Sequence, residues 1–353
     1  MKRYKIGVIG LGAMGSRYLE NLKADSRWDV VSVCDLNTER LDWAAELLPG
    51  VRTTNDAHDI ITDTEIDVVG IFTLADIRPQ LIRDSLDHGK HVMAEKPIAS
   101  SVAEEKELLK TIESSGRIVA VNLFNRNAWY HEQMQEFIRQ GEIGKLGVIT
   151  VSHQTPGLMP TEGHQPEGPP FHDCGMHYVD VARWYAGSEY DTWHAQGVRM
   201  WSWKDPWWVT AHGHFNNGVV FSITQGFVYG QLAETKVVRC GLDAIGTKGV
   251  IRMQHDFSTV RIEYHGVSRT AVKEGPYGGK KLDVMCKRFA RALATGDSAL
   301  LPTARDSVIA SEVSQAMLDQ ATAASAPCVG SPDEMAEILA HRGTSNHSDA
   351  REA

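Results

Sequence analysis

The sequence predicts an α/β protein: a doubly wound parallel sheet at the N-terminus, then a second α/β domain with a large open, mostly antiparallel sheet. Three observations predict it. The first ~120 residues alternate short β-branched runs with helical patterns. A glycine-rich turn, Gly10-Leu11-Gly12-Ala13-Met14-Gly15, joins the first run to the first helix. From Thr192 to Val272, strand-like runs succeed one another with glycine turns between them.

The elements follow in order. Lys5–Ile9 reads as a strand and Met14–Ala24 as a helix; Val30–Cys34 is the second strand, and Glu39–Leu48 is a helix stopped by Pro49-Gly50. Asp67–Phe72 is the third strand with Pro79–His88 as its helix. His91–Ala94, a helix over Val102–Ser115 and Ile118–Val121 complete the repeat. Tyr130–Gln140 then reads as helical and Gly147–Gln154 as an alternating strand. A loop over Thr155–Pro170 carries Pro156, Pro160, Pro166, Pro169 and Pro170, and His172–Tyr185 is helical. Asn216-Asn217-Gly218 predicts a hairpin turn between Thr210–Phe215 and Val219–Gln225. Lys281–Ala294 and Ala304–Ala323 are closing helices, and Arg342–Ala353 is a polar, frayed tail. The expected division is 1–123, 124–330, and a C-terminal segment and tail over 331–353.

Composition bounds the function. A net charge of −9 argues against a sequence-independent grip on nucleic acid, whose affinity comes largely from Lys and Arg on phosphates. No stretch approaches the ~20 apolar residues of a membrane span. The basic start Met1-Lys2-Arg3-Tyr4-Lys5 is followed by too short an apolar run for a secretory signal. The five cysteines are scattered and form no Cys-x-x-Cys, which fits reduced thiols and a cytoplasmic protein.

Glycines at 10, 12 and 15 after a strand permit the tight turn, the approach of backbone to a pyrophosphate, and close helix–strand packing. Asp35 ends the second strand 20 residues after Gly15, where a carboxylate accepts from ribose hydroxyls and repels a 2′-phosphate. NAD is therefore expected over NADP. Arg40, one turn into the next helix, softens that preference.

Glu95-Lys96-Pro97 follows a strand at its carboxyl end, the ligand edge of such sheets. Within His172–Asp180, residues Asp173, His177 and Asp180 share one face if the segment is α-helical. A carboxylate one turn from a histidine orients it and raises its basicity. His172, Asp173, Cys174 and His177 also carry ligand atoms, but no second cluster has zinc spacing, so no metal is expected. His212 and His214 share a strand face and read as packing or hydrogen-bonding residues.

Together these motifs resemble the glucose–fructose oxidoreductase/inositol dehydrogenase (Gfo/Idh/MocA) family, from the glycine loop through Ala323. The most specific are Glu95-Lys96-Pro97, Gly141-Glu142-Ile143-Gly144-Lys145-Leu146, Asp173-x-Gly175-x-His177-x-x-Asp180 and Leu301-Pro302-Thr303-Ala304-Arg305-Asp306. The resemblance implies a Rossmann domain and an NAD(P)-dependent oxidoreductase acting on CH–OH groups of a sugar, sugar derivative or cyclitol. It implies that Lys96, Asp173 and His177 are catalytic, with His177 taking the hydroxyl proton, Asp173 orienting and Lys96 holding the reacting oxygen. The implied cofactor set is Gly10, Gly12, Ala13, Met14, Gly15, Asp35, Thr73, Glu95 and Lys96. The substrate set is Lys96, Arg126, Asn127, Asp173 and His177, and Pro97 is the candidate for a cis bond. Two departures stand out: Thr73-Leu74 replaces the family's Thr-Pro, and Arg78 replaces a histidine.

Trp201, Trp203, Trp207 and Trp208 fall within eight residues, suited either to stacking on a sugar face or to burial. A homodimer or homotetramer is expected through an apolar second face of the C-terminal sheet. Two other functions stay open: an NAD-using glycosidase working through transient oxidation, and a non-catalytic NAD-binding sensor. An export signal would favour the first, and loss of Lys96, Asp173 or His177 the second.

Overall fold

The computed structural model describes residues 3–156, 169, 171–201, 205–230, 232–324 and 328–341. The chain divides into two compact units, 1–127 with 280–309, and 128–279 with 310–353.

The first unit is built on six parallel strands: β1 (Tyr4–Ile9), β2 (Trp28–Cys34), β3 (Arg52–Thr54), β4 (Val68–Ile71), β5 (His91–Ala94) and β6 (Val119–Val121), in spatial order β3-β2-β1-β4-β5-β6. Between them run α1 (Ala13–Ala24), α2 (Thr38–Leu47), α3 (Ala57–Ile61), α4 (Arg78–Asp87) and α5 (Val102–Ser114). The order reverses between β1 and β4, which opens the ligand crevice at their carboxyl ends. Central strands are covered on both faces: all four residues of β4 are buried, as a continuous apolar run requires. Sequence periodicity misses β3 and α3. β3 has only three residues, none of them buried, so no hydrophobic pattern announces it.

The expected uninterrupted second domain is corrected by the segment 280–309. Its helix α8 (Leu282–Thr295) buries Leu282, Met285, Cys286, Phe289 and Ala290 in the same core as Tyr4, Tyr18, Leu22 and Trp28. Trp28 Nε1 donates to the Cys286 carbonyl at 3.2 Å. An apolar helical stripe states that a helix is covered, not what covers it.

The second unit contains α6 (Trp129–Arg139), β7 (Leu146–Gln154), α7 (Met176–Ala186), β8 (Tyr190–Val198), β9 (Trp208–Phe215), β10 (Val220–Gly226), β11 (Arg239–Gly246), β12 (Gly249–His255), β13 (Thr259–Gly266) and β14 (Thr270–Pro276). The eight strands lie in the order β14-β13-β12-β11-β7-β10-β9-β8, and only β7 with β10 is parallel. Gly218 (φ +83°) makes the β9–β10 turn that Asn-Asn-Gly predicts. Helix α9 (Ala304–Ala323) follows α8, and α10 (Pro332–His341) lies in the expected C-terminal segment, ahead of the polar tail.

One face of this sheet is core, including Ile149, Val151, Phe221, Ile223, Leu242 and Met253. The other face is mixed: Thr150, Ser152, Gln154, Thr210, His212, Ser222 and Thr224 lie on it, and Val220, Val148, Ile245 and Val250 are successive cross-strand neighbours there. Threonine fits a strand as well as valine does, so strand propensity does not reveal which face is dry. No helix among the described residues is long and apolar enough to cross a membrane. The expected frayed tail lies outside the described residues.

Candidate functional site

The glycine loop occupies the crevice between β1 and β4. Gly10 has φ +88°, and a Cβ on it would lie 2.9 Å from the Phe72 backbone. A Cβ on Gly15 would fall 1.8 Å from the Gly10 carbonyl oxygen, so helix and loop touch through that glycine. Beneath them Tyr18 and Phe72 stack at 4.0 Å. Gly12 differs: a Cβ there would meet only Arg40 Nη1, at 3.8 Å, among the described residues. Internal packing therefore explains Gly10 and Gly15 but not Gly12. Gly12 caps α1 with no side-chain hydrogen bond, and the first turn, which includes Ala13 and Met14, holds no acid. Unsatisfied N–H groups and the positive end of a helix dipole thus face a space kept clear of side chains. These residues fit a dinucleotide pyrophosphate.

Asp35 stands at the end of β2 as expected. Its carboxylate accepts from Leu11 N at 2.6 Å and Asn37 N at 2.8 Å, and Arg40 Nη1 lies 3.5 Å away. The two backbone bonds fix its position and leave lone pairs for ribose hydroxyls. Arg40 offsets part of the charge that would repel a 2′-phosphate.

Thr73 borders the loop, with its methyl 3.1 Å from a Cβ built on Gly10. Arg78, a departure from the family pattern, is 1% exposed and donates to the carbonyl oxygens of Thr73 and Pro97. It ties the loop after β4 to the turn after β5. The Lys96-Pro97 bond is cis. Glu95 is buried, accepting from Asn122 Nδ2 at 2.7 Å and from Lys96 N at 3.4 Å. Its carboxylate braces the turn. Lys96 itself is half-buried.

Arg126 is anchored: its guanidinium forms a two-point ion pair with Asp306, each contact 3.1 Å, and Asp306 also accepts from Thr303 at the start of α9. Asn127 is buried, its Oδ1 accepting from Arg288 at 2.8 Å, and its Nδ2 finds no acceptor among the described residues.

In the second unit, Asp173 and His177 lie on one segment, but it is not the single α-helix expected. Phe171–Gly175 forms a π-helical turn that passes into α7 at Met176. The Phe171 ring would be 2.9 Å from a Cβ on Gly175, so only glycine permits this wide turn. Such turns concentrate at functional sites because they re-aim side chains without ending the helix. His177 is buried, Asp173 half-buried and Asp180 fully buried. His172 Nε2 pairs with Ser311 Oγ at 2.9 Å, a structural contact.

Sequence reasoning missed His153 on β7, whose Nδ1 lies 3.9 Å from Cys174 Sγ. It stacks on Tyr178 at 4.5 Å, and burial lowers its pKa to about 3, so it is neutral. Its only sequence signal is a histidine at a core position of an alternating strand. Among the tryptophans, Trp201 is buried, its backbone N–H donating to the Val329 carbonyl, while Trp207 and Trp208 are half-buried and Trp203 lies outside the described residues. Trp201 is thus a packing residue. Among the described residues, no group of three or more His, Cys, Asp or Glu side chains is placed to hold a metal.

Residues 4–123 match the family described as oxidoreductase, NAD-binding Rossmann fold, and residues 131–252 match the GFO/IDH/MocA C-terminal domain. Myo-inositol 2-dehydrogenase of Thermotoga maritima is 27% identical over 193 residues, 55% of this chain and 58% of that protein. The chain therefore matches little more than half the length of this curated relative. An Agrobacterium radiobacter oxidoreductase, solved with NAD+, L-tartaric acid and magnesium, superposes with a TM-score of 0.79 at 19% identity, covering 91% of this chain and 96% of that one. KijD10, a 3-ketoreductase from Actinomadura kijaniata solved with NADP, gives a TM-score of 0.75 at 17% identity, covering 94% and 100%.

Proposed function

Since the chain belongs to the GFO/IDH/MocA family of oxidoreductases, with an N-terminal NAD-binding domain, we propose that it is an NAD-dependent dehydrogenase. Its substrate is a secondary hydroxyl of a sugar, sugar derivative or cyclitol, which it oxidises to a ketone. Gly10, Gly12, Gly15 and Asp35 would hold the dinucleotide, whose nicotinamide would supply the acceptor for the hydride lost by the carbinol carbon. His177 takes the hydroxyl proton, and Asp173 orients the histidine or the substrate. Lys96 hydrogen-bonds the same oxygen and eases its change of charge as the carbonyl forms.

The observation that carries this reading is Gly12: a glycine at an uncapped helix end, unexplained by packing among the described residues, where a pyrophosphate fits. Braced turns at Thr73 and at Lys96-Pro97 are held by Arg78 and Glu95. The names of relatives that act on inositols and sugars support the substrate class. Asp35 supports NAD over NADP. A homodimer or homotetramer in the cytoplasm completes the reading, with a small polyol as partner and neither nucleic acid nor membrane.

Net formation of NADH from NAD+ over a panel of inositols, aldoses and glycosides tests it. Oxidation of a free polyol supports the dehydrogenase. Glycoside cleavage without net NADH, or no turnover at all on NAD-bound protein, would reject it.

A further inference from the structure

One row of the second sheet breaks the apolar pattern of its inner face. Ile223, Val151, Leu242 and Met253 are successive cross-strand neighbours on β10, β7, β11 and β12, and all four are buried. On the same face, at the carboxyl ends of β7 and β10, the next row reads Gln225, His153, Cys240 and His255. Gln225 is 1% exposed and His153 4%, while His255 is half-buried. Ladder pairing satisfies their backbones and leaves the side chains to find partners. Gln225 Nε2 and His255 Nδ1 are buried with no hydrogen-bond partner among the described residues. Such nitrogens cost stability, and the row beside them shows that apolar side chains fit this layer.

This row lies beside the segment that carries Asp173 and His177, within the same unit. His153 Nδ1 is 3.9 Å from Cys174 Sγ, and its ring stacks on Tyr178 at 4.5 Å. Those two residues adjoin Asp173 and His177 in the chain. At the far end, His255 packs on Phe257 at 4.9 Å and on Tyr277 at 4.7 Å. Burial holds His153 at a pKa of about 3 and His255 at about 4, so both rings are neutral. The row thus offers uncharged donors and acceptors next to flat aromatic faces. Neutral hydroxyls match that chemistry, whereas a carboxylate or phosphate would lose water there and gain no cation from the row.

We propose that Gln225 and His255 are substrate-binding residues that, with His153 between them, recognise the hydroxyls of an uncharged polyol and disfavour acidic or phosphorylated sugars. The inference rests on the dehydrogenase reading and narrows its substrate class. Gln225 donates to one hydroxyl through Nε2, and His255 meets a second through Nδ1. The rings of Phe257 and Tyr277 cover the carbon skeleton.

Steady-state kinetics on the full chain test this over inositols and aldoses, with D-glucuronate and D-glucose 6-phosphate as charged probes. Gln225→Leu and His255→Phe remove the polar atoms while keeping similar volumes and, for His255, the ring contacts. Each should raise KM for the best neutral substrate about 3- to 10-fold, the size of one lost hydrogen bond between neutral groups, with kcat changed less. NAD+ affinity should not change. The melting temperature of Gln225→Leu should hold or rise, because an unsatisfied buried amide is gone. Unchanged KM in either folded variant overturns the proposal and leaves the dehydrogenase standing. Wild-type preference for D-glucuronate or D-glucose 6-phosphate does the same. Wild-type protein that binds no NAD+, or oxidises none of the probes, rejects the dehydrogenase and the recognition row together.

Discussion

The guanidinium of Arg78, 1% exposed, donates to the carbonyl oxygen of Pro97, and through a second nitrogen to that of Thr73. One buried cation thus joins the turn after β4 to the turn after β5. Arg78→Met should cost about 2–4 kcal/mol of stability, since two buried carbonyls lose charge-assisted bonds. Turnover should fall more steeply than NAD+ affinity, because the pyrophosphate grip lies elsewhere. Denaturant unfolding and a kcat-against-Kd comparison check both halves. A variant as stable and active as wild type would mean that Arg78 braces neither turn.

Gly12 and Gly15 should behave in opposite ways. Gly12→Val places its side chain where the nearest protein atom is 3.8 Å from the Cβ, so the fold should persist while NAD+ affinity collapses by ~100-fold or more. Gly15→Ala puts a methyl 1.8 Å from a carbonyl oxygen, so the domain must shift or unfold. Circular dichroism with cofactor titration distinguishes them. Normal NAD+ binding by Gly12→Val would discard the cradle.

Cofactor choice is assigned to Asp35 and Arg40, 3.5 Å apart. Wild-type protein should bind NAD+ more tightly than NADP+. Asp35→Ser should erase most of that difference by removing the charge next to the 2′ position. Arg40→Ala should widen it. Titration of both cofactors decides, and tighter NADP+ binding by the wild type would reverse the assignment.

Lys96→Met should leave NAD+ binding largely intact and lower turnover at least ~100-fold, as loss of a positioned charge-stabilising group does. His177→Ala should show a comparable loss. The double variant should fall far short of the product of the two, since both groups serve one proton transfer. Near-normal turnover by folded, NAD-bound Lys96→Met would make the lysine structural.

Acid should destabilise the second unit through its buried histidines. Burial holds His131 and His153 at a pKa of about 3, with the neighbouring His255 adding to the effect on each. The unfolded chain takes up these protons near pH ~6.5, so between the two values it binds more protons than the fold does. Stability from these groups is complete above ~6.5 and declines as pH falls, by up to about 1.4 kcal/mol per pH unit for each. Urea unfolding at about pH 7.5 and about pH 5.5 measures the slope, and His153→Gln should flatten it. Equal stability at both values would show that these histidines protonate in place.

The turns and strand ends of the candidate cofactor site are legible in the sequence by itself. The glycine loop, Asp35 at a strand end and the turn at Lys96-Pro97 depend on neighbours along the chain, because strand, turn and helix signals are local. The strand alternation of β7 to β14 is readable for the same reason, down to the Asn-Asn-Gly hairpin. Partnerships are not. Arg78 is a misfit until its two carbonyls are in place, and nothing near Arg126 in the chain announces its partner Asp306, 180 residues away. Lys280 and Met14, separated by 266 residues, become neighbours only when α8 packs on α1. The mixed outer face of the second sheet is hidden in strands that read equally well with either face dry. Periodicity records that a residue is covered, and hydrogen-bond capacity that it needs a partner. Which group covers or pairs with it is decided by long-range packing, where burial and desolvation select among partners that the local chain cannot specify.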